Sequence, residues 1–258
     1  MGNLHSRREE ILQCLSEAPS QTLNVNDIIR RFNVTPATIR RDLVSLENQG
    51  NIVRTHGFAR LKSFTSVPNY TARNDVFFSE KEAIGKVAAT LVQDKDSIIL
   101  DSGTTTCAVA KALAPRSSIS VITNSVAIVT QVPNPSYTLI LTGGIYEKDN
   151  MELIGPDAEA AFDRITASIV FFGTTGIRGT EGMTTATPFH ASIKKRMLAC
   201  AKKKVLVCDQ SKLRRTSTLL FANFTDIDAI ITAHPIADPV LSDYFKENHI
   251  EMLCAYPE

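Results

Sequence analysis

Long apolar runs are missing from this chain. Among its 258 residues, no stretch approaches the ~18–20 consecutive apolar residues that a bilayer-spanning helix needs. The first twenty residues are charged throughout and hold no signal-peptide core, so the cytoplasm is the expected location. Paired cysteines are missing as well. Cys14, Cys107, Cys200, Cys208 and Cys254 are odd in number and widely scattered, with no C-x-x-C spacing. That pattern argues against a disulfide framework or a thiolate metal cluster and for reduced packing residues. The five histidines show no ligand spacing, so no metal or cofactor is expected from the sequence. Strong net charge is missing too: 28 Lys/Arg stand against 27 Asp/Glu. Residues 1–62 hold nine basic and six acidic side chains and the remainder 19 and 21, an asymmetry too small to identify a nucleic-acid binder by itself. What is present is the composition of an ordinary globular protein, 43% hydrophobic and 21% charged, with length enough for two domains.

The most informative segment runs from Thr35 to Glu47. Thr35 suits an N-cap and Pro36 the first helical position, where a missing N–H costs nothing. Ile39, Leu43 and Leu46 recur at helical spacing and predict one buried stripe. Thr38, Arg40 and Arg41 fall off that stripe, where a recognition helix presents side chains to bases and phosphates. Upstream, residues 6–18 carry Ile11, Leu12 and Leu15 on one helical face. A shorter helix follows with Val25, Ile28, Ile29 and Phe32, capped by Asn24 or Asn26. Downstream, Gly50 suits a helix stop, and residues 52–61 predict two short strands around a turn. The order is helix, helix, recognition helix, wing. Candidate DNA contacts are therefore Thr35, Thr38, Arg40 and Arg41, with Arg54, His56 and Arg60 in the wing.

Residues 63–78 lack a clear period and predict a linker. Ser79 and Glu82 predict a capping box opening the next helix. From there, strands expected at 97–100, 120–123, 137–141, 168–172, 204–208, 229–232 and 251–254 alternate with helices. Alternation of this kind implies an α/β unit over 79–258 with a mainly parallel sheet, whose ligands bind beyond the carboxyl ends of the strands. Several strand ends suit such a crevice. Asp101-Ser102-Gly103-Thr104-Thr105-Thr106 follows a strand and opens a helix, where N–H groups and hydroxyls can receive a phosphate. Asp101 would accept hydrogen bonds from sugar hydroxyls or hold the loop in shape. Asn124, Gly143, Gly144, Gly173 and Lys212 sit at or near further strand ends. Each alone is ordinary turn chemistry; together they favour a pocket.

These segments carry a resemblance. Asn26 to Thr35, Thr38-Ile-Arg-Arg-Asp-Leu43 and Arg54-Thr-His-Gly57 resemble the DeoR family of bacterial transcriptional regulators. So do Asp-Ser-Gly-Thr-Thr, Thr-Asn-Ser, Thr-Gly-Gly, Phe-x-Gly-x-x-Gly-Ile and Asp-x-Ser-Lys, in that order. The resemblance implies a winged helix-turn-helix over 1–62 and a sensor domain similar in fold to ribose-5-phosphate isomerase. It further implies a phosphorylated sugar as effector, with phosphate near Ser102 to Thr106 and Lys212 helping to position it. Three positions depart from the family pattern: Phe58 replaces a wing glycine, His190 replaces a glutamate, and Ala233-His234 replaces Thr-Asp. Away from this pattern, His190 reads as a surface or packing residue.

The expected function is a DNA-binding repressor of a sugar operon, acting as a homo-oligomer because one winged domain buries too little surface for selective binding. The competing class is a sugar-phosphate isomerase or deaminase with an added head. Its base would come from the loop Thr142 to Asp149, whose acids alternate with Lys148 and read as solvated charges. An architectural DNA binder without a ligand is the third class, and it leaves the glycine-edged loops unexplained.

Overall fold

The computed structural model describes residues 4–18, 22–48, 52–55, 57–61 and 69–257. The chain divides into two compact units, Met1–Phe78 and Ser79–Glu258.

The first unit contains helices α1 (Leu4–Glu17), α2 (Val25–Arg31) and α3 (Pro36–Asn48), with strands β1 (Thr22–Asn24), β2 (Ile52–Thr55) and β3 (Phe58–Leu61). Asn24 caps α2 by accepting from the Asn26 N–H, and the Thr35 hydroxyl accepts from the Thr38 N–H at 3.3 Å. Ile39, Leu43 and Leu46 are fully buried and pack with Ile11, Leu12, Leu15, Ile28, Ile52 and Ala59. The three strands form one antiparallel sheet in the order β1-β3-β2, and the wing turns between Thr55 and Phe58. Gly57 takes φ +80° there, a left-handed conformation that favours glycine. His56 and Gly50 lie outside the described residues.

One polar contact inside this core was not anticipated. Asp42, on α3, is 1% exposed, and its two oxygens accept from Arg7 Nε at 2.6 Å and Arg8 Nε at 3.0 Å. The carboxylate therefore pins α3 against α1, while Arg40 and Arg41 of the same helix are exposed.

The expected linker is partly structured. Asn69 caps α4 (Tyr70–Asn74), Tyr70 is 2% exposed, and Phe77 joins the core of the first unit. Two buried aromatic side chains supply apolar area that no residue period in this stretch revealed. Helix α5 (Phe78–Thr90) starts two residues before the expected first helical position, leaving Ser79 inside its first turn.

The second unit continues with β4 (Ser97–Leu100), α6 (Thr104–Leu113), β5 (Ser120–Thr123), α7 (Val126–Gln131), β6 (Thr138–Leu141), β7 (Ile145–Glu147), β8 (Glu152–Ile154), α8 (Pro156–Phe162) and β9 (Ala167–Phe172). It ends with β10 (Gly176–Arg178), β11 (Gly182–Thr185), α9 (Pro188–Ala199), β12 (Ala201–Val207), α10 (Gln210–Leu213), β13 (Leu219–Asn223), β14 (Ala229–Thr232), α11 (Pro239–Glu247) and β15 (Glu251–Cys254). Seven strands form a parallel sheet in the order β15-β14-β12-β9-β4-β5-β6. Its strands bury both faces: Ile98 and Leu100 pack into one apolar cluster and Ile99 into the other. That explains their continuous apolar runs.

Strand order runs outward in opposite directions from the β4–β9 pair. This reversal opens a crevice at the carboxyl ends of those two strands, where such sheets bind ligands. Two additions were not foreseen: the β7–β8 hairpin and a three-stranded antiparallel sheet of β10, β11 and β13. Their strands are three to five residues long, too short for an alternation to show.

Replacing Asp42 with Asn should destabilise the first unit by about 2 kcal/mol, since two guanidinium groups lose a buried carboxylate. Urea unfolding of the full chain, followed by circular dichroism, measures the loss. An unchanged midpoint would show that the contact is not structural.

Candidate functional site

Four polar strand ends come side by side at the carboxyl edge of the sheet: Asn124 after β5, Asp101 after β4, Gly173 after β9 and Asp209 beyond β12. Asn124 and Asp101 are fully buried. Asp101 Oδ2 accepts from the Gly173 N–H at 3.0 Å and from the ammonium group of Lys194. Lys194 comes from α9, is itself buried, donates to the Gly173 carbonyl at 3.1 Å, and sits 5.6 Å from the Phe221 ring centroid. Asp101 Oδ1 has no partner among the described residues; neither have Asn124 Oδ1 and Thr142 Oγ1. Three buried acceptors along one edge call for donors from outside the chain.

Beside them, Gly103 stands at the N-cap of α6 with φ +149°, a conformation that favours glycine, and offers no side chain to the first turn. The N–H groups of Thr104 to Thr106 point out of that helix end, where the dipole favours an anion. The Thr106 hydroxyl is spent locally, donating to the Gly103 carbonyl at 3.0 Å. Ser102 donates to Glu152, a residue the sequence did not single out.

Glu152 on β8 is 3% exposed. It accepts from Asn124 Nδ2 at 3.2 Å and lies 2.9 Å from His190 Nε2. Burial pushes its carboxyl up, but hydrogen bonds from His190 and Ser102, with the Lys194 charge nearby, more than offset this and hold it below its ordinary value. His190 is thus no plain surface or packing residue. It enters the crevice from the N-terminal turn of α9, which Thr187 caps through the His190 N–H. Glu147, expected to be solvated, is half-buried and accepts from Asn150 Nδ2 at 2.7 Å.

The remaining candidates divide. Gly143 is exposed, whereas Gly144 is explained by packing: a Cβ there would stand 2.7 Å from the Ile154 carbonyl oxygen and 2.8 Å from the Ala158 Cβ. Lys212 joins a separate cluster around buried Asp209 with Lys81 and Arg215. Because β9 lies between β12 and β4, this cluster is about 10 Å along the edge from the Asp101 loop. Burial pushes the Asp209 carboxyl up; Lys212 and Lys81, the Ser211 hydrogen bond and Arg215 outweigh it and hold the group below its ordinary value.

On the first unit, Arg40 and Arg41 are both exposed, and among the described residues neither forms an ion pair. Thr35 is exposed and Thr38 half-buried, their hydroxyls 2.9 Å apart. Arg60 is exposed on β3. Arg54 is committed: its guanidinium holds Glu47 at 2.8 Å, which lowers the Glu47 carboxyl below its usual range and ties the wing to α3.

Lys194 and Glu152 were missed for different reasons. Lys194 shares a helical face with Ala191, Met197 and Leu198, and a lysine on an apolar stripe is a readable signal. Glu152 lies in a three-residue strand with no period to betray it.

A winged helix-turn-helix bearing free arginines, followed by a doubly wound unit with a polar crevice, is the build of a ligand-sensing transcriptional regulator. Residues 7–65 match the DeoR-like helix-turn-helix domain and residues 77–234 the DeoR C terminal sensor domain. The chain belongs to the DeoR family, and it is a DNA-binding regulator rather than an enzyme. It is 33% identical to the HTH-type transcriptional regulator GolR of Listeria innocua over 89% of this chain and 91% of that one. It is 32% identical to the HTH-type transcriptional repressor GlcR of Bacillus subtilis over 90% of this chain and 89% of the relative. Ribose 5-phosphate isomerase A of Methanocaldococcus jannaschii matches at a TM-score of 0.39 and 19% identity, covering 53% of this chain and 55% of that structure. No helix among the described residues is long and apolar enough to cross a membrane.

Lys194→Met should cost about 3 kcal/mol of stability, because Asp101 keeps its buried charge without its cation. Thermal unfolding reads this directly, and a loss under about 1 kcal/mol would contradict the assigned pairing. Acid sensitivity tests the other cluster. A lowered carboxyl contributes stability that is present above the ordinary carboxylate range and lost as pH falls through the folded-state value. Removing Lys212 raises that value, so Lys212→Ala should begin to lose melting temperature at a higher pH than the parent. Superimposable profiles between pH 7 and 3 would rule this out.

Proposed function

We propose that this chain represses a carbohydrate operon and that a phosphorylated sugar or related metabolite controls its grip on DNA. The observation that carries the effector half is the row of unpartnered buried acceptors, Asp101 Oδ1, Asn124 Oδ1 and Thr142 Oγ1. Sugar hydroxyls are donors of the right kind, and the first turn of α6 supplies N–H groups for a phosphate a few ångströms away. A neutral or cationic ligand would leave that helix end unused.

On the DNA side, Arg40 and Arg41 enter or flank the major groove, reading base edges or neutralising phosphates, and Arg60 adds a wing contact. Thr35 and Thr38 place hydroxyls at the same helix end. Arg54 acts by holding the wing against α3 through Glu47. Phe58, 45% exposed where the family carries glycine, gives the wing tip an apolar face for deoxyribose edges. Two heads on one operator are needed for selective affinity, so the active form is a homo-oligomer in the cytoplasm. The effector acts by binding the DNA-free arrangement more tightly than the DNA-competent one.

Arg41→Ala should weaken operator binding at least tenfold in a gel shift, and more steeply at low salt, while leaving the thermal response to effector intact. Retained affinity would remove Arg41 from the interface. A thermal-shift panel of pentose and hexose phosphates should include one that raises the melting temperature of the parent and not of Asn124→Ala. An effector whose stabilisation survives in Asn124→Ala binds elsewhere.

A further inference from the structure

The β7–β8 hairpin places Glu147 directly opposite Glu152. Like charges facing each other across an antiparallel ladder are destabilising, and one of these two is buried. His190 approaches both, its Nε2 2.9 Å from Glu152 Oε1 and 3.7 Å from Glu147 Oε2. The ligand-capable atoms of the three side chains all lie within 4.8 Å of one another. Donors about 2.1 Å from a tetrahedral ion stand about 3.4 Å apart, so side-chain rotation alone brings this trio to coordination distance.

One further observation separates an ion site from a simple ion pair. Asn150 Nδ2, already donating to Glu147, is also 3.4 Å from His190 Nε2. That ring nitrogen therefore faces a carboxylate, which asks for a donor, and an amide NH2, which asks for an acceptor. One nitrogen cannot be both. A cation taking the Nε2 lone pair together with both carboxylates removes the conflict.

We propose that Glu147, Glu152 and His190 form a divalent transition-metal site that fastens the β7–β8 hairpin to the N-terminal turn of α9. One imidazole with two carboxylates suits Mn2+ or Zn2+ better than Mg2+, which favours oxygen alone. Because Glu152 also receives the Ser102 hydroxyl, the ion fixes one end of the loop that opens α6. The proposal does not depend on the identity of any effector. Two ligands come from one hairpin and the third from a helix some forty residues on, so no histidine spacing could announce them.

The test is a titration of the EDTA-stripped full chain with Mn2+ and no sugar phosphate present, followed by the electron paramagnetic resonance signal of free Mn2+. Manganese is the probe because the five thiols compete poorly for it. One ion per chain is expected, with affinity falling about tenfold or more in both Glu147→Gln and His190→Ala. His234→Ala serves as the histidine control and should bind as the parent does. Circular dichroism confirms that each variant is folded, and the half-buried Glu147 tolerates its conservative change most easily. Absence of stoichiometric binding in the parent, or unchanged affinity in either ligand variant, overturns the site. Since no effector enters the titration, such a result leaves the sugar-phosphate reading untouched.

Discussion

The pairing of Asp101 with Lys194 is the contact on which the second unit's chemistry depends. It joins three elements at the strand-order reversal: the end of β4, the Gly173 backbone after β9, and α9. A carboxylate buried this deeply is costly unless paired and hydrogen-bonded. The sheet provides both conditions on one oxygen and leaves the other unpartnered. The same lysine, in turn, holds α9 where His190 can reach Glu152.

The first unit repeats this logic on a smaller scale. Asp42 spends both oxygens on Arg7 and Arg8 and so fixes how α3 sits on α1. Arg54 does the same for the wing through Glu47. With these charges tied down internally, Arg40 and Arg41 are left facing solvent. Apolar packing alone would hold α3 in place while permitting it to roll; the polar contacts remove that freedom. Recognition of a groove demands such fixed orientation, since base edges are read through directed hydrogen bonds.

Much of this was legible in the chain. Ile39, Leu43 and Leu46 announced a buried stripe, and Arg40 and Arg41 followed as its free face. The apolar runs at β4, β5 and β14 announced a sheet covered on both sides, and Asp101 and Asn124 were picked out by their places at strand ends. Less legible was anything without a period. Phe77 joined the core of the first unit from within an apparent linker, where Tyr70 is buried as well. Glu152 and Glu147 sat in strands of three residues, and His190 looked like an ordinary helix residue until the hairpin was folded against it. Lys212 follows β12, which β9 separates from the β4 end that opens the Asp101 loop.

By itself the sequence determined the elements, their alternation, the free arginines and the family pattern, because these depend on near neighbours and on repeats of two or about 3.6 residues. Only the tertiary structure decided which strand ends meet, that Lys194 neutralises Asp101, and that two carboxylates and an imidazole from distant segments share one small volume. Strand order and helix docking are set by burial of whole faces rather than by local spacing, so the partners of a buried charge are named only when the chain has closed around it.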